Sequence, residues 1–131
     1  MKDAKYKELE FYKIIREITI IIYRETKKFP KEELGFTRIV NQLRRTIVSA
    51  SSNIVEGSSR KEKEYLHFLS LSLGSLREVE NQIEISCDLD FISKETFEDI
   101  NKKLNKSIAK LCMYYKIINK NYYLNKDKKY N

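Results

Sequence analysis

Two adjacent basic pairs, Arg44-Arg45 and Arg60-Lys61, and the lysines at 120, 126, 128 and 129 are the residues of this chain best equipped for chemistry. A guanidinium grips phosphate as a fork and an ammonium as a point charge, so both suit the backbone of RNA or DNA. Tyr114, Tyr115, Tyr122, Tyr123 and Tyr130 lie among the terminal lysines, and rings beside a basic track can stack on bases. The competing reading is a solvated charged face. Tyr115 and Tyr122 also fall on an apolar stripe, where packing accounts for them.

A second constellation is the polar row Gln42, Arg45, Ser49, Asn53 and Glu56, which recurs every three or four residues. Beside an apolar stripe such a row forms either an interhelical hydrogen-bond network that fixes register or a ligand site. The network is the expectation, with Arg45 and Glu56 available to pair across helices.

Catalysis needs a nucleophile beside a base, paired carboxylates or a set of metal ligands, and no such pattern stands in the sequence. His67 is the single histidine, Gly35, Gly57 and Gly74 form no phosphate loop, and Cys87 and Cys112 form no CxxC pair. The expectation is therefore a protein that is not an enzyme, with no cofactor, no metal and no small-molecule substrate.

Lys and Arg number 26 against 19 Asp and Glu, a net charge of +7, which makes an anionic partner such as RNA or DNA an expectation. The charge is regional. Residues 116–131 hold five lysines against Asp127, whereas residues 61–90 hold three basic residues against seven acidic ones.

These groups must be positioned by helices, because three Gly and one Pro are too few to turn a many-stranded sheet. Four apolar periods of three to four residues run along the 131-residue chain. The first spans about 7–28 and stops at Phe29-Pro30. The second spans about 36–57, with Gly57 expected in the left-handed conformation at its end. The third spans about 60–88, opened by a capping box at Ser59-x-x-Glu62. The fourth begins after the N-cap Ser93 and keeps its period to Tyr122. Short links make neighbours antiparallel, which predicts an all-α, up-down-up-down four-helix bundle over residues 1–121 and a basic, flexible tail over 122–131.

On the third helix, Tyr65, Phe68 and Val79 flank one edge of the main stripe and Leu66, Leu69 and Leu73 the other; the first helix adds residues 20–23. That surplus predicts a homo-oligomer, since monomers seldom expose large apolar patches. No stretch reaches the ~18 apolar residues of a membrane span and the opening residues lack a signal-peptide core, so a cytoplasmic location is expected.

Residues 29–36, the Arg44-Arg45 pair, the Asn53-Ile54-Val55-Glu56-Gly57 segment and residues 68–80 resemble the bacterial four-helix-bundle family, which includes proteins encoded within intervening sequences of 23S ribosomal RNA genes. The resemblance spans residues 9–119, with Ser70-Leu71-Ser72 standing where an alanine is common. It implies an antiparallel bundle that assembles into a ring, typically a pentamer, with no enzymatic activity. A related branch, the accessory variability protein of diversity-generating retroelements, is similar in fold and is a basic pentamer that binds nucleic acid with a reverse transcriptase. The alternative function is a structural or protein-interaction module with no nucleic-acid role.

Overall fold

The computed structural model describes residues 3–35 and 38–130, excluding the side chains of residues 3, 4, 129 and 130. Four helices follow in order: α1 (Glu10–Thr26), α2 (Ile39–Ser58), α3 (Glu62–Asp88) and α4 (Lys94–Tyr130). Short 3-10 helices at Asp3–Glu8 and Lys31–Leu34 precede α1 and α2. No strand occurs among the described residues. Each helix packs on its neighbours in sequence and α4 closes back on α1, while α1 and α3, and α2 and α4, sit on the diagonals. This is the expected up-down-up-down bundle.

One apolar position per turn drives the assembly. Ile15, Ile18 and Ile22 of α1, Leu43, Ile47 and Ile54 of α2, Leu69, Leu76 and Ile83 of α3, and Ile100 and Leu104 of α4 are all at most 1% exposed. Burying each such side chain stabilises the fold by about 1.5–3 kcal/mol before chain entropy is counted. One end of the core is aromatic. Tyr114 packs on Phe11 at 5.3 Å and on Tyr65 at 6.1 Å between ring centroids, and the Tyr65 and Tyr114 hydroxyls lie 3.0 Å apart. Burial, with this contact, pushes the Tyr65 phenol well above its ordinary pKa. At the other end Phe29, held out of α1 by the following proline, meets Phe91 at 5.3 Å.

Helix ends agree with the sequence in part. Ser93 Oγ accepts the Thr96 amide at 3.0 Å, the expected N-cap. The first helix starts at Glu10 rather than near residue 7, because Leu9 is extended (φ −67°, ψ 129°) and separates it from the 3-10 turn. The expected start of the second helix at Phe36 lies outside the described residues. The capping box does not form: Lys61 occupies the N-cap position without a side-chain bond, and Ser59 Oγ donates back to the Glu56 carbonyl at 3.1 Å. Gly57 is not left-handed either, since no glycine has positive φ among the described residues. It lies inside α2, buried against α3.

Two further expectations are corrected. The segment read as a tail continues α4 to Tyr130, because nothing from Lys94 onward is Gly or Pro and terminal lysines complement the negative end of the helix dipole. Its side chains at 123–128 are nevertheless exposed. The apolar surplus assigned to α3 is largely covered within one chain. Tyr65, Leu66, Leu69 and Val79 are buried and Phe68 and Leu73 half-buried, because α2 and α4 flank α3 on both sides. The large apolar side chains left in solvent include Ile20 and Tyr23 of the run expected on α1, and beyond it Val48, Val55, Leu71, Met113, Ile117 and Leu124.

Gly57 and Gly74 give opposite expectations for the same substitution. A Cβ at Gly57 would stand 2.7 Å from Phe68 Cβ and 3.0 Å from Tyr65 Cδ1, whereas at Gly74 it would meet nothing within 4 Å. Phe68 Cβ is fixed to the α3 backbone and cannot swing away. Gly57→Ala should lose about 1–3 kcal/mol in denaturant melts, and Gly74→Ala should gain about 0.5–1 kcal/mol.

Candidate functional site

Helices α2 and α3 are joined by residues 59–61 alone, so their axes converge at that corner and small residues line the approach. The seam is polar along its length. Ser72 Oγ donates to the Ala50 carbonyl at 2.6 Å, Ser75 Oγ to Ser49 Oγ at 3.3 Å, and Gln82 Nε2 to Thr46 Oγ1 at 3.3 Å. Further from the corner the seam opens into a groove of about 520 Å³ lined by Gln42, Arg45, Thr46 and Ser49 from α2 and Ser75, Glu78 and Gln82 from α3.

The structure unites four members of the predicted polar row. Asn53 Nδ2 donates to the Ser49 carbonyl at 2.9 Å and to Ser49 Oγ at 3.2 Å, while Gln42 and Arg45 line the groove. Glu56 leaves the row. It pairs with Arg60, which also reaches Glu64 at 3.3 Å and lies over the Phe68 ring at 5.6 Å. The Glu56 contact, by hydrogen bond and charge, raises the Arg60 pKa further. Glu56 therefore pairs with the α2–α3 corner rather than across to another helix. The α3 half of the network was not anticipated. Its signal was present in the spacing of Ser72, Ser75, Gln82 and Ser86, which puts small or neutral polar groups on one flank of the apolar stripe of α3.

The candidate basic residues and the lysines on the second half of α4 separate into those held by protein groups and those not, while Lys13, Lys27, Lys63 and Lys102 are also exposed and outside the ion pairs among the described residues. Arg44 stacks on the Tyr23 ring at 4.8 Å and donates through Nε to Thr26 Oγ1 at 2.9 Å. It clamps α2 to α1. Arg60 holds the α2–α3 corner as described. Lys103 reaches Glu17 at 3.6 Å, and Lys106 and Lys110 reach Glu10 at 3.6 and 3.0 Å. The hydrogen bond from Lys110, with its charge, draws the Glu10 carboxyl below its ordinary value. Lys116, Lys120, Lys126 and Lys128 of α4 are exposed and join none of the ion pairs among the described residues. Lys61 is likewise exposed; the Lys129 side chain lies outside the described residues. Because Tyr114 sits level with the first turns of α1 and α3, the remaining turns of α4 carry Lys126 and Lys128 roughly 20 Å past the aromatic end of the core, while Lys116 and Lys120 lie within about 10 Å of it. Tyr122 and Tyr123 pack edge to face there at 5.3 Å, with Tyr123 exposed.

Among the described residues no group of His, Cys, Asp or Glu is disposed to hold a metal ion, and no helix is long and apolar enough to cross a membrane. The architecture defines the class: an all-α up-and-down bundle with a polar seam on one side and a basic helical extension at one end. Within that class the chain belongs to the 23S rRNA-intervening sequence protein family, whose model matches residues 7–113. A crystal structure of a protein of unknown function from the S23 ribosomal protein family of Bacteroides thetaiotaomicron VPI-5482 is similar in fold. It is 21% identical with a TM-score of 0.72, over 81% of this chain and 95% of that one. No curated protein matches the chain. The family match ends before Lys116, so the basic extension lies outside it.

Substitution separates the clamping cations from the unpaired ones. Arg44→Ala removes a ring contact and a hydrogen bond to Thr26, and should lower stability by about 1–2 kcal/mol in thermal melts. Lys120→Ala removes no such contact and should leave the melting temperature unchanged within error.

Proposed function

We propose that the protein is a non-enzymatic, self-associating accessory factor that binds RNA or DNA through the C-terminal extension of α4. The observation that carries this reading is the set of exposed lysines at 116, 120, 126 and 128 outside any ion pair among the described residues. Acid is sparse there, with Asp127 alone in the segment. Ion-paired lysines must give up a carboxylate before they meet a phosphate, whereas these need only release counterions. Exposed Tyr123 adds a ring on which a base can stack. Arg44 and Arg60 are assigned to the fold instead, since each is already held by protein groups.

Self-association draws support from Met113, Ile117 and Leu124, exposed at 67%, 53% and 48% and spaced to share one side of α4. A second subunit is the occupant proposed for that side, with closed symmetry the usual outcome. Five subunits and a cytoplasmic, reducing location follow from the family resemblance and the sequence. The same apolar row favours the second reading, a protein-interaction module without a nucleic-acid role.

Fluorescence anisotropy with labelled RNA and DNA oligonucleotides, titrated from low to moderate salt, tests the first reading. Binding should weaken linearly in log–log form. Changing Lys116, Lys120, Lys126 and Lys128 to Gln should make that slope shallower by about 3 while melting is unaltered. No binding at low salt, or an unchanged slope in the variant, would overturn it in favour of the second.

A further inference from the structure

Beyond the bundle, α4 is a helix with no covered side. Side chains 123–128 are all exposed, so no other element covers that stretch among the described residues. A single strand of nucleic acid is best held where a groove tracks its backbone, and a lone helix is convex. The partner must therefore supply the groove. The major groove of B-form DNA, about 12 Å wide, admits a helix about 10–12 Å across, whereas the deep, narrow one of A-form RNA does not.

Two asparagines give that stretch a way to read bases. Asn121 and Asn125 stand four residues apart, so they project from one side of α4, one above the other. Both are exposed, and neither side chain enters a hydrogen bond among the described residues. Asparagine is an unfavourable helix residue, and here it neither packs nor caps, so the fold does not account for the pair. Its amide offers a donor and an acceptor side by side, the match for N6–H and N7 of adenine on the major-groove edge. At about 100° per residue, Lys120 and Lys126 lie about 120° round the helix on opposite sides of the pair, where the two phosphate walls of a groove stand. Both lysines are exposed and outside the ion pairs among the described residues. Tyr123 projects about 180° from the asparagines, so a duplex held this way leaves its ring free.

We infer that the free end of α4 docks in the major groove of B-form duplex DNA, with Asn121 and Asn125 on adenine edges and Lys120 and Lys126 on the phosphates of either wall. The inference rests on the proposal that the extension binds nucleic acid, and narrows the polymer to duplex DNA that contains adenine.

Fluorescence anisotropy of the full chain against duplexes of about 20 base pairs, two helical turns, tests it. The probes are an A·T DNA duplex of mixed sequence, a G·C duplex, the A·T duplex with 7-deazaadenine for every adenine (which lacks the N7 acceptor), the A·U RNA duplex and one DNA strand alone. The A·T duplex should bind at least about tenfold more tightly than each of the others. Replacing both asparagines, Asn121→Ala with Asn125→Ala, should bring it down to the level of the G·C duplex. The salt dependence should stay as it was, because no phosphate contact is lost. Alanine is the better helix former, so this variant keeps the fold. Tyr123→Ala should change neither affinity nor preference. Three results overturn the inference while leaving α4 as the nucleic-acid surface: any other probe matching the A·T duplex, an A·T preference that survives the loss of both asparagines, or binding lost with Tyr123→Ala, which assigns stacking of a single strand instead. No binding of any probe at low salt overturns the inference and the proposal beneath it together.

Discussion

The fold hangs on how closely α2 and α3 approach at the corner they share. Only residues 59–61 join them, and at Gly57 the α2 backbone comes so near Phe68 and Tyr65 that even a methyl group has no room. That approach sets the separation of the two helices along the seam. It brings Ser72 Oγ within 2.6 Å of the Ala50 carbonyl and Ser75 within reach of Ser49. It also sets where the seam widens enough to admit solvent and become a groove. Hydroxyls close the tight part because they satisfy one another and helix carbonyls at short range, where a larger apolar side chain would force the helices apart. Leu43, Ile47 and Ile54 then meet Leu69, Leu76 and Ile83 behind that seam, and α1 and α4 cover what α2 and α3 leave open.

The ion pairs among the described residues all lie within the bundle, and none reaches the extension. The lysines of α4 that run beside α1 find Glu10 and Glu17. Arg60 absorbs Glu56 and Glu64 at the corner, and Arg77 lies 3.5 Å from Glu80 on α3. These pairs are exposed and each contributes little to stability. Their consequence is electrostatic: they cancel cations that would otherwise spread positive potential over the bundle. Past the first turns of α1 and α3 no other helix packs on α4 among the described residues, so no carboxylate of a neighbouring helix pairs with its lysines there. With the acidic excess of residues 61–90 on α3, the molecule carries opposite charge at different places. A uniform basic surface would be a poorer guide for an anionic polymer.

The sequence made the helices legible because their apolar periods are long and Gly and Pro are scarce. Ser93 could be read as an N-cap from one residue type in one context, and the structure has it so. Ser59-x-x-Glu62 has the same local pattern and failed, because a capping box needs its serine free and the corner turns Ser59 back onto Glu56. Gly57 was legible as special but not for the right reason. Close approach of another helix and a left-handed turn both demand glycine, and only the packing distinguishes them. Arg44 and Lys103 show the larger limit: their partners Tyr23, Thr26 and Glu17 lie on another helix, and no spacing within the chain announces them. The extension of α4 was misread from its lapsed apolar period. A helix needs an apolar face to pack, but it needs only the absence of breakers and a packed stem to continue.

The central claim is that this extension, rather than the arginine pairs, is the surface presented to a nucleic acid. Lysine acetylation footprinting, read by mass spectrometry with and without a saturating oligonucleotide, addresses it residue by residue. Lys116, Lys120, Lys126 and Lys128 should become protected on binding, while Lys103, Lys106 and Lys110 should keep their reactivity because α1 already holds them. Protection confined to Lys61 and the α2–α3 corner, or to the lysines beside α1, would contradict the account.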